Sequence, residues 1–324
     1  MTAGTPDGAP PTAPYALLFP GQGSQQPHMG GPWRETPQWR IVDDIARHSG
    51  MDVEHALLRA DAETLRRTDL AQISVYAVSM MALTALRDRW PGLPVAACAG
   101  HSLGEYSALA AAGVVSVADG ARLVAARGTA MREAVESGPG TMGAVVGGTA
   151  ESVRELVAAA DAAGTPVWLA NENAPGQTVV SGSAAGVDAV ADAAPEHGMK
   201  VIRLAVAGAF HSPLMEPARA VLRRACATVV FRDAHTPVVA NVDARAHLAG
   251  DDWRALIDRQ MVGPVLWERS VRTITDELGC RSFIELGPGK TLAGMVRRID
   301  KGARVACVNT PDDLQQSALA PAAV

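Results

Sequence analysis

The 324-residue chain is long enough to enclose a sizeable core, and 48% apolar with 19% charged side chains exclude a disordered or fibrous protein. A formal net charge of −5 offers no broad attraction to nucleic acid, and the basic pairs Arg66 with Arg67 and Arg297 with Arg298 read either as local patches for an acidic protein partner or as exposed charges with no special role. Charged or polar residues interrupt every apolar run short of eighteen residues, so no membrane span is expected, and Cys98, Cys226, Cys280 and Cys307 lack the spacing of a zinc site.

The opening MTAGTPDGAPPTAP, residues 1–14, has neither a positive start nor a continuous apolar stretch. It reads as a frayed tail rather than a secretory signal, which places the protein in the cytoplasm. From there short β-type runs alternate with helical patterns: ALLFPG, the run ending in VAACAG, a helix from Tyr106, and later TPVVANVD, SFIELGPG and ARVACVN. That alternation predicts an α/β core with a largely parallel sheet.

The stretch 139–206 has its own pattern. TMGAVVGG reads as a strand, ESVRELVAAADAAG as a helix, VWLAN and QTVVSG as strands, AAGVDAVADAAPEHG as a helix and KVIRLAV as a strand. The order βαββαβ predicts a ferredoxin-like unit inserted into a core built from 15–138 and 207–310, with hinges at SGPG (137–140) and AGAFHS (207–212). A cleft between the two units is a natural ligand site. The Ala-rich end, 311–324, is expected to be loose.

GHSLGE, residues 100–105, joins an apolar run to a helical one. A GxSxG turn between strand and helix exposes its serine beside a helix N-terminus, and Gly100 and Gly104 satisfy its demand for missing side chains. Ser102 is therefore a candidate nucleophile, or a helix N-cap whose capping box is completed by Glu105, and both readings hold together. A serine nucleophile needs a base. His101 adjoins Ser102, but consecutive side chains at such a corner diverge. His211, in AGAFHSPLMEP, follows a strand close to a hinge, and position alone leaves open a base or a structural histidine. In DGARLVAARGTAMREA, Leu123, Val124, Ala130 and Met131 share the helix face of Arg127, with no acidic partner at matching positions. An arginine so placed receives a carboxylate, snorkels, or pairs with a distant acid.

FPGQGSQ at 19–25, GHSLGEYSAL from Gly100, RG at 127–128, NAPGQTVVSG from Asn173, FHSPLM from Phe210, GPVLW at 263–267 and ELGPGKTL from Glu285 together resemble the malonyl-CoA:acyl carrier protein transacylases, including the acyltransferase units of polyketide synthases. The likeness covers about residues 15–310. It implies an α/β-hydrolase-like large subdomain with a ferredoxin-like small subdomain. It also implies Ser102 as the acyl-accepting nucleophile and His211 as its base, steadied by the backbone carbonyl of Gln260. The N–H groups of Gln22 and Leu103 would form the oxyanion hole. Arg127 would hold the free carboxylate of a malonyl-type group, and Gln72 would line the same pocket. Phe210 implies crowding of an α-methyl group, whereas Gly208, where such enzymes often carry histidine, implies a more open pocket.

The activity implied is transfer of a malonyl or related dicarboxylic acyl group from coenzyme A to the phosphopantetheine thiol of an acyl carrier protein, in polyketide biosynthesis. A monomer with no bound cofactor and no metal is expected. Two further readings compete: an editing hydrolase in which water replaces the carrier thiol, and carrier-to-carrier transfer of an atypical acyl group. A non-catalytic docking protein conflicts with the presence of Ser102, His211 and Arg127 together.

Overall fold

A computed structural model describes residues 13–315 apart from 139 and 207. The expected frayed start therefore lies almost wholly outside the described residues, as does one residue of each expected hinge. The strands are β1 (Tyr15–Phe19), β2 (Val95–Gly100), β3 (Thr141–Val146), β4 (Val167–Ala174), β5 (Gln177–Gly182), β6 (Lys200–Arg203), β7 (Val238–Val239), β8 (Ala246–His247), β9 (Ser282–Leu286) and β10 (Arg304–Val308).

They form two sheets. The larger runs β10, β9, β1, β2, β7, β8, parallel throughout except for the antiparallel pair of β7 with β8. Strand β1 is apolar apart from its first residue and β9 is buried along its whole length, as a sheet covered by helices on both sides requires, although β9 carries Ser282 and Glu285 among its apolar residues. The helix Thr68–Arg89 is long and apolar enough to cross a membrane, but it is buried inside the protein, where it packs against the helix Val117–Ser137 and against β9. Ser116 caps that second helix by accepting from the Asp119 N–H.

The smaller sheet is antiparallel, in the order β4, β5, β3, β6, with the helices Ala150–Ala162 and Ala184–Ala193 connecting β3 to β4 and β5 to β6. This is the ferredoxin-like order, and it encloses its own apolar cluster around Val145, Val153, Val180 and Val187. Its outer strand β4 meets the large part of the chain at Val265: the Val265 N–H donates to the Ala170 carbonyl (2.8 Å) and the Glu172 N–H to the Val265 carbonyl (2.9 Å). The Glu172 carboxylate, 5% exposed, pairs with Arg154 of the small unit and with Arg269 of the large one.

One expectation is corrected at the C-terminal end. Pro311–Leu314, expected as the start of a loose tail, is a 3-10 turn closed by a Thr310–Asp313 capping box, with Leu314 buried in the core. The register Phe19↔Gly100 and Ala99↔Val239 ends β1, β2 and β7 at one edge of the sheet. The loops that leave this carboxyl edge carry Gln22, Ser102 and Asn241, which is where open α/β sheets place ligands.

Candidate active site

The chain leaves β2 at Gly100 and enters the helix Gly104–Ala111 within four residues. So sharp a corner brings backbones into contact: a Cβ on Gly104 would lie 2.0 Å from the Phe19 carbonyl oxygen, and one on Gly100 would lie 1.9 Å from the Gly104 carbonyl carbon. Ser102 at its apex has φ +52°, a left-handed conformation that costs a non-glycine residue about 1–3 kcal/mol and persists only where the surroundings enforce it. The expected capping box is absent. The Glu105 N–H donates to the Ser102 carbonyl at 3.2 Å, but neither side chain caps the other's backbone; the Glu105 carboxylate, 1% exposed, accepts from the Asn241 N–H (2.6 Å) and from Gln260 Nε2 (3.1 Å). Burial pushes the Glu105 carboxyl up to about 8, against the opposing pull of the Asn241 N–H, the Arg127 cation and Gln260.

Ser102 Oγ lies 2.7 Å from His211 Nε2, across 109 residues of sequence. His211 is itself left-handed, φ +58°. Its Nδ1 faces two carbonyl oxygens, of Gln260 at 3.0 Å and of Gly263 at 3.2 Å. Carbonyls only accept, so Nδ1 carries the proton and Nε2 is left as the acceptor for the serine hydroxyl. Burial first, then the Arg127 cation and His101, depress the imidazole to about 3, which keeps it neutral at physiological pH. His101 is turned to Asn173, with Nε2 at 2.8 Å from Oδ1, and packs edge-on against Trp267.

Arg127 neither snorkels nor pairs with a distant acid. It is 1% exposed, and its guanidinium is met by neutral oxygens: Gln72 Oε1 at 2.7 Å, Ser102 Oγ at 2.9 Å and Gln260 Oε1 at 3.3 Å. The Tyr106 ring lies beneath it at 5.5 Å, and Nε has no partner. Removing a cation from water without an anionic partner is costly, and among the described residues this guanidinium hydrogen-bonds to neutral oxygens alone. Gln72, expected in the pocket lining, stands behind the guanidinium instead, fully buried, with Nε2 3.3 Å from Met131 Sδ. Its side-chain carbonyl orients the arginine.

Ser102 and His211 open onto a cavity of about 380 Å³ between the two units, whose lining includes Gln22, Met131, Met142, Phe210 and Met295. The backbone N–H groups of Gln22 and Leu103 donate to no acceptor among the described residues, whereas the Ser102 N–H is taken by Asn241 Oδ1 at 2.8 Å. Gly208 does not open this cavity as expected. Its missing side chain is filled by its neighbours, since a Cβ there would lie 2.3 Å from Val135 Cγ2 and 2.8 Å from the Phe210 ring. A larger hollow of about 750 Å³ adjoins the first at Gln22, Arg66 and Phe210. Its arginines are already paired, Arg66 with Glu63, Arg67 with Asp69, and Arg132 with Asp69 and Glu136.

Residues 16–319 match the acyl transferase domain family. The chain is 37% identical over 303 residues to the malonyl CoA-acyl carrier protein transacylase of Bacillus subtilis, covering 93% of this chain and 95% of that one. The family is therefore settled. The chain belongs to the malonyl-CoA:acyl carrier protein transacylases. The Escherichia coli (strain K12) member is 36% identical over 302 residues, covering 92% and 96%. Among solved transacylases, that of Xanthomonas oryzae superposes with a TM-score of 0.88 at 36% identity, covering 95% of this chain and 98% of that one. A malonyl-transacylase in complex with its type II polyketide acyl carrier protein also gives 0.88, at 32% identity, covering 94% and 99%.

Within this transacylase the sequence marked Ser102, His211, Arg127, Gln22, Leu103 and Phe210; the structure brings Ser102, His211, Gln22 and Phe210 to the lining of one cavity, with Arg127 buried behind it and bonded to Ser102 Oγ at 2.9 Å, and Leu103 buried beside Ser102 in the chain. It did not mark Asn241, the side chain of Gln260 or the Gly263 carbonyl, and it marked Glu105 only as a local cap. The one signal for Asn241 was a polar residue closing the apolar run TPVVAN.

Proposed function

We propose that this chain moves a malonyl group from coenzyme A to the phosphopantetheine thiol of an acyl carrier protein through an ester on Ser102. One observation supports this above the others: Ser102 Oγ is shared between a neutral imidazole at 2.7 Å and a buried, acid-free guanidinium at 2.9 Å. Oγ attacks the thioester carbonyl as His211 Nε2 takes its proton, the tetrahedral oxygen gathers the free N–H groups of Gln22 and Leu103, and coenzyme A leaves as its thiol with the proton returned from His211. The carrier thiol then repeats the sequence on the acyl-serine, giving its proton to His211, which returns it to Oγ. Arg127 binds the distal carboxylate. A group with one methylene between its two carbonyl carbons spans from Oγ to a guanidinium placed so close, and Phe210 narrows the space for a substituent on that methylene. The reading calls for no bound cofactor or metal.

The acceptor is assigned to polyketide assembly, a setting supported by the likeness to the transacylase seen with its polyketide carrier; a fatty-acid carrier is the competing acceptor, and the ratio of kcat/KM on the two decides between them. Four free cysteines agree with a reducing, cytoplasmic setting. Intact-mass analysis after mixing with malonyl-CoA is expected to show a malonyl adduct on the wild-type chain and none on Ser102→Ala. Equal carrier loading by both chains would overturn the reading.

A further inference from the structure

The corner that holds Ser102 is fixed by a residue outside the group just described. Pairing of β2 with β7 proceeds as Cys98↔Val238 and Ala99↔Val239, with the Cys98 N–H donating to the Pro237 carbonyl at 2.8 Å. One step further on, a parallel ladder would set the main chain of residue 241 between Gly100 and Ser102, accepting from the Ser102 N–H and donating to the Gly100 carbonyl. The main chain of Asn241 is elsewhere: its N–H goes to Glu105 Oε2 at 2.6 Å, and its carbonyl accepts from Leu266 at 2.8 Å. Its side chain makes the two ladder bonds instead. Oδ1 accepts from the Ser102 N–H at 2.8 Å and Nδ2 donates to the Gly100 carbonyl at 2.8 Å, with the residue fully buried.

We infer that Asn241 is a positioning residue for the reaction: its carboxamide acts as one extra peptide unit of the sheet, locks Ser102 in its left-handed conformation, and takes up the Ser102 N–H. The reacting oxygen is thereby left to the Gln22 and Leu103 N–H groups alone. The assignment rests on Ser102 being the nucleophile.

Asn241→Asp is the near-isosteric test, because it keeps the acceptor for Ser102 and turns an oxygen toward the Gly100 carbonyl. Asn241→Ala removes both bonds, and Asn241→Ser retains a single hydroxyl. With malonyl-CoA and holo carrier protein, kcat is expected to fall about 10²-fold in the Asp and Ala variants, the scale of a misplaced reacting group, with the Ser variant between them and the wild type. KM for malonyl-CoA should stay within about twofold, since Arg127 and the cavity wall are untouched. Single-turnover formation of the acyl-serine should slow by the same factor as kcat, and the acid limb of the pH profile should not move. A folded Asn241→Asp chain with wild-type kcat overturns the proposal. So does a loss confined to KM, or a loss that active-site titration attributes to fewer competent molecules working at full speed. If none of the three variants folds, Asn241 belongs to the fold alone and the proposal falls. Ser102→Ala run alongside separates the two levels: carrier loading by that chain sinks the nucleophile reading whatever Asn241 does.

Discussion

Arg127→Ala removes a cation that is 1% exposed and bonded to Gln72, Ser102 and Gln260. A carboxylate taken by a guanidinium forms charge-assisted hydrogen bonds worth about 1.5–3 kcal/mol each. Two of them at the low end amount to about 3 kcal/mol, or about two powers of ten in kcat/KM for malonyl transfer. The substitution also removes a hydrogen bond to the nucleophile, and that loss falls equally on every donor. The ratio of malonyl to acetyl transfer isolates the carboxylate, and it is expected to drop about 10²-fold. Carrier protein is incubated with malonyl-CoA and acetyl-CoA in separate reactions, and initial rates of acyl-carrier formation are read by mass spectrometry. Stability should change little, because orphaning the two glutamine carbonyls costs about 1–3 kcal/mol each while the penalty for a desolvated cation disappears. A malonyl-to-acetyl ratio equal to that of the wild type would refute the assignment of Arg127 to the acid.

Because burial first and then the Arg127 cation hold His211 at about 3, kcat/KM should stay flat from about pH 8 to about pH 5, and a limb centred on the usual imidazole value of 6.5 would contradict the geometry. The same depression has a sign in stability. Between 6.5 and about 3 the unfolded chain binds more protons than the folded one, so His211 withdraws stability as pH falls through that window, and His211→Gln should flatten that part of a urea-melt series. Gly104→Ala would set a methyl 2.0 Å from a backbone oxygen that has no room to move; a loss above about 4 kcal/mol, or no soluble protein, is expected from denaturant unfolding. Gly208→Ala meets only side-chain ends, so it should cost about 1–3 kcal/mol and shift the Phe210 ring, read as altered discrimination between malonyl-CoA and methylmalonyl-CoA.

Much of the site was legible where chemistry and chain neighbours coincide. GHSLG showed its corner because both glycines that permit it lie within two residues of Ser102, and the βαββαβ order of 141–203 followed from periodicity alone. Arg127 was visible as a charge on an apolar helix face, whereas its partners were not readable from its own neighbourhood: Gln72 came only through the resemblance and Gln260 was marked only for its backbone carbonyl, since the two arrive from 55 and 133 residues away. Glu105 misled for the opposite reason. Its spacing from Ser102 fits a local cap, and a partner 136 residues distant, the Asn241 N–H, takes its carboxylate instead. Gly208 read as an opening, since a sequence shows the missing side chain but not the Phe210 ring that fills the gap.

The meeting of β4 with Val265 carries a mechanical consequence. Two residues before that junction, the Gly263 carbonyl grips His211 Nδ1 at 3.2 Å. A single tripeptide therefore serves as both mooring for the smaller layer and bearing for the imidazole, so any rocking of that layer over the cavity is transmitted to the proton carrier through two peptide links.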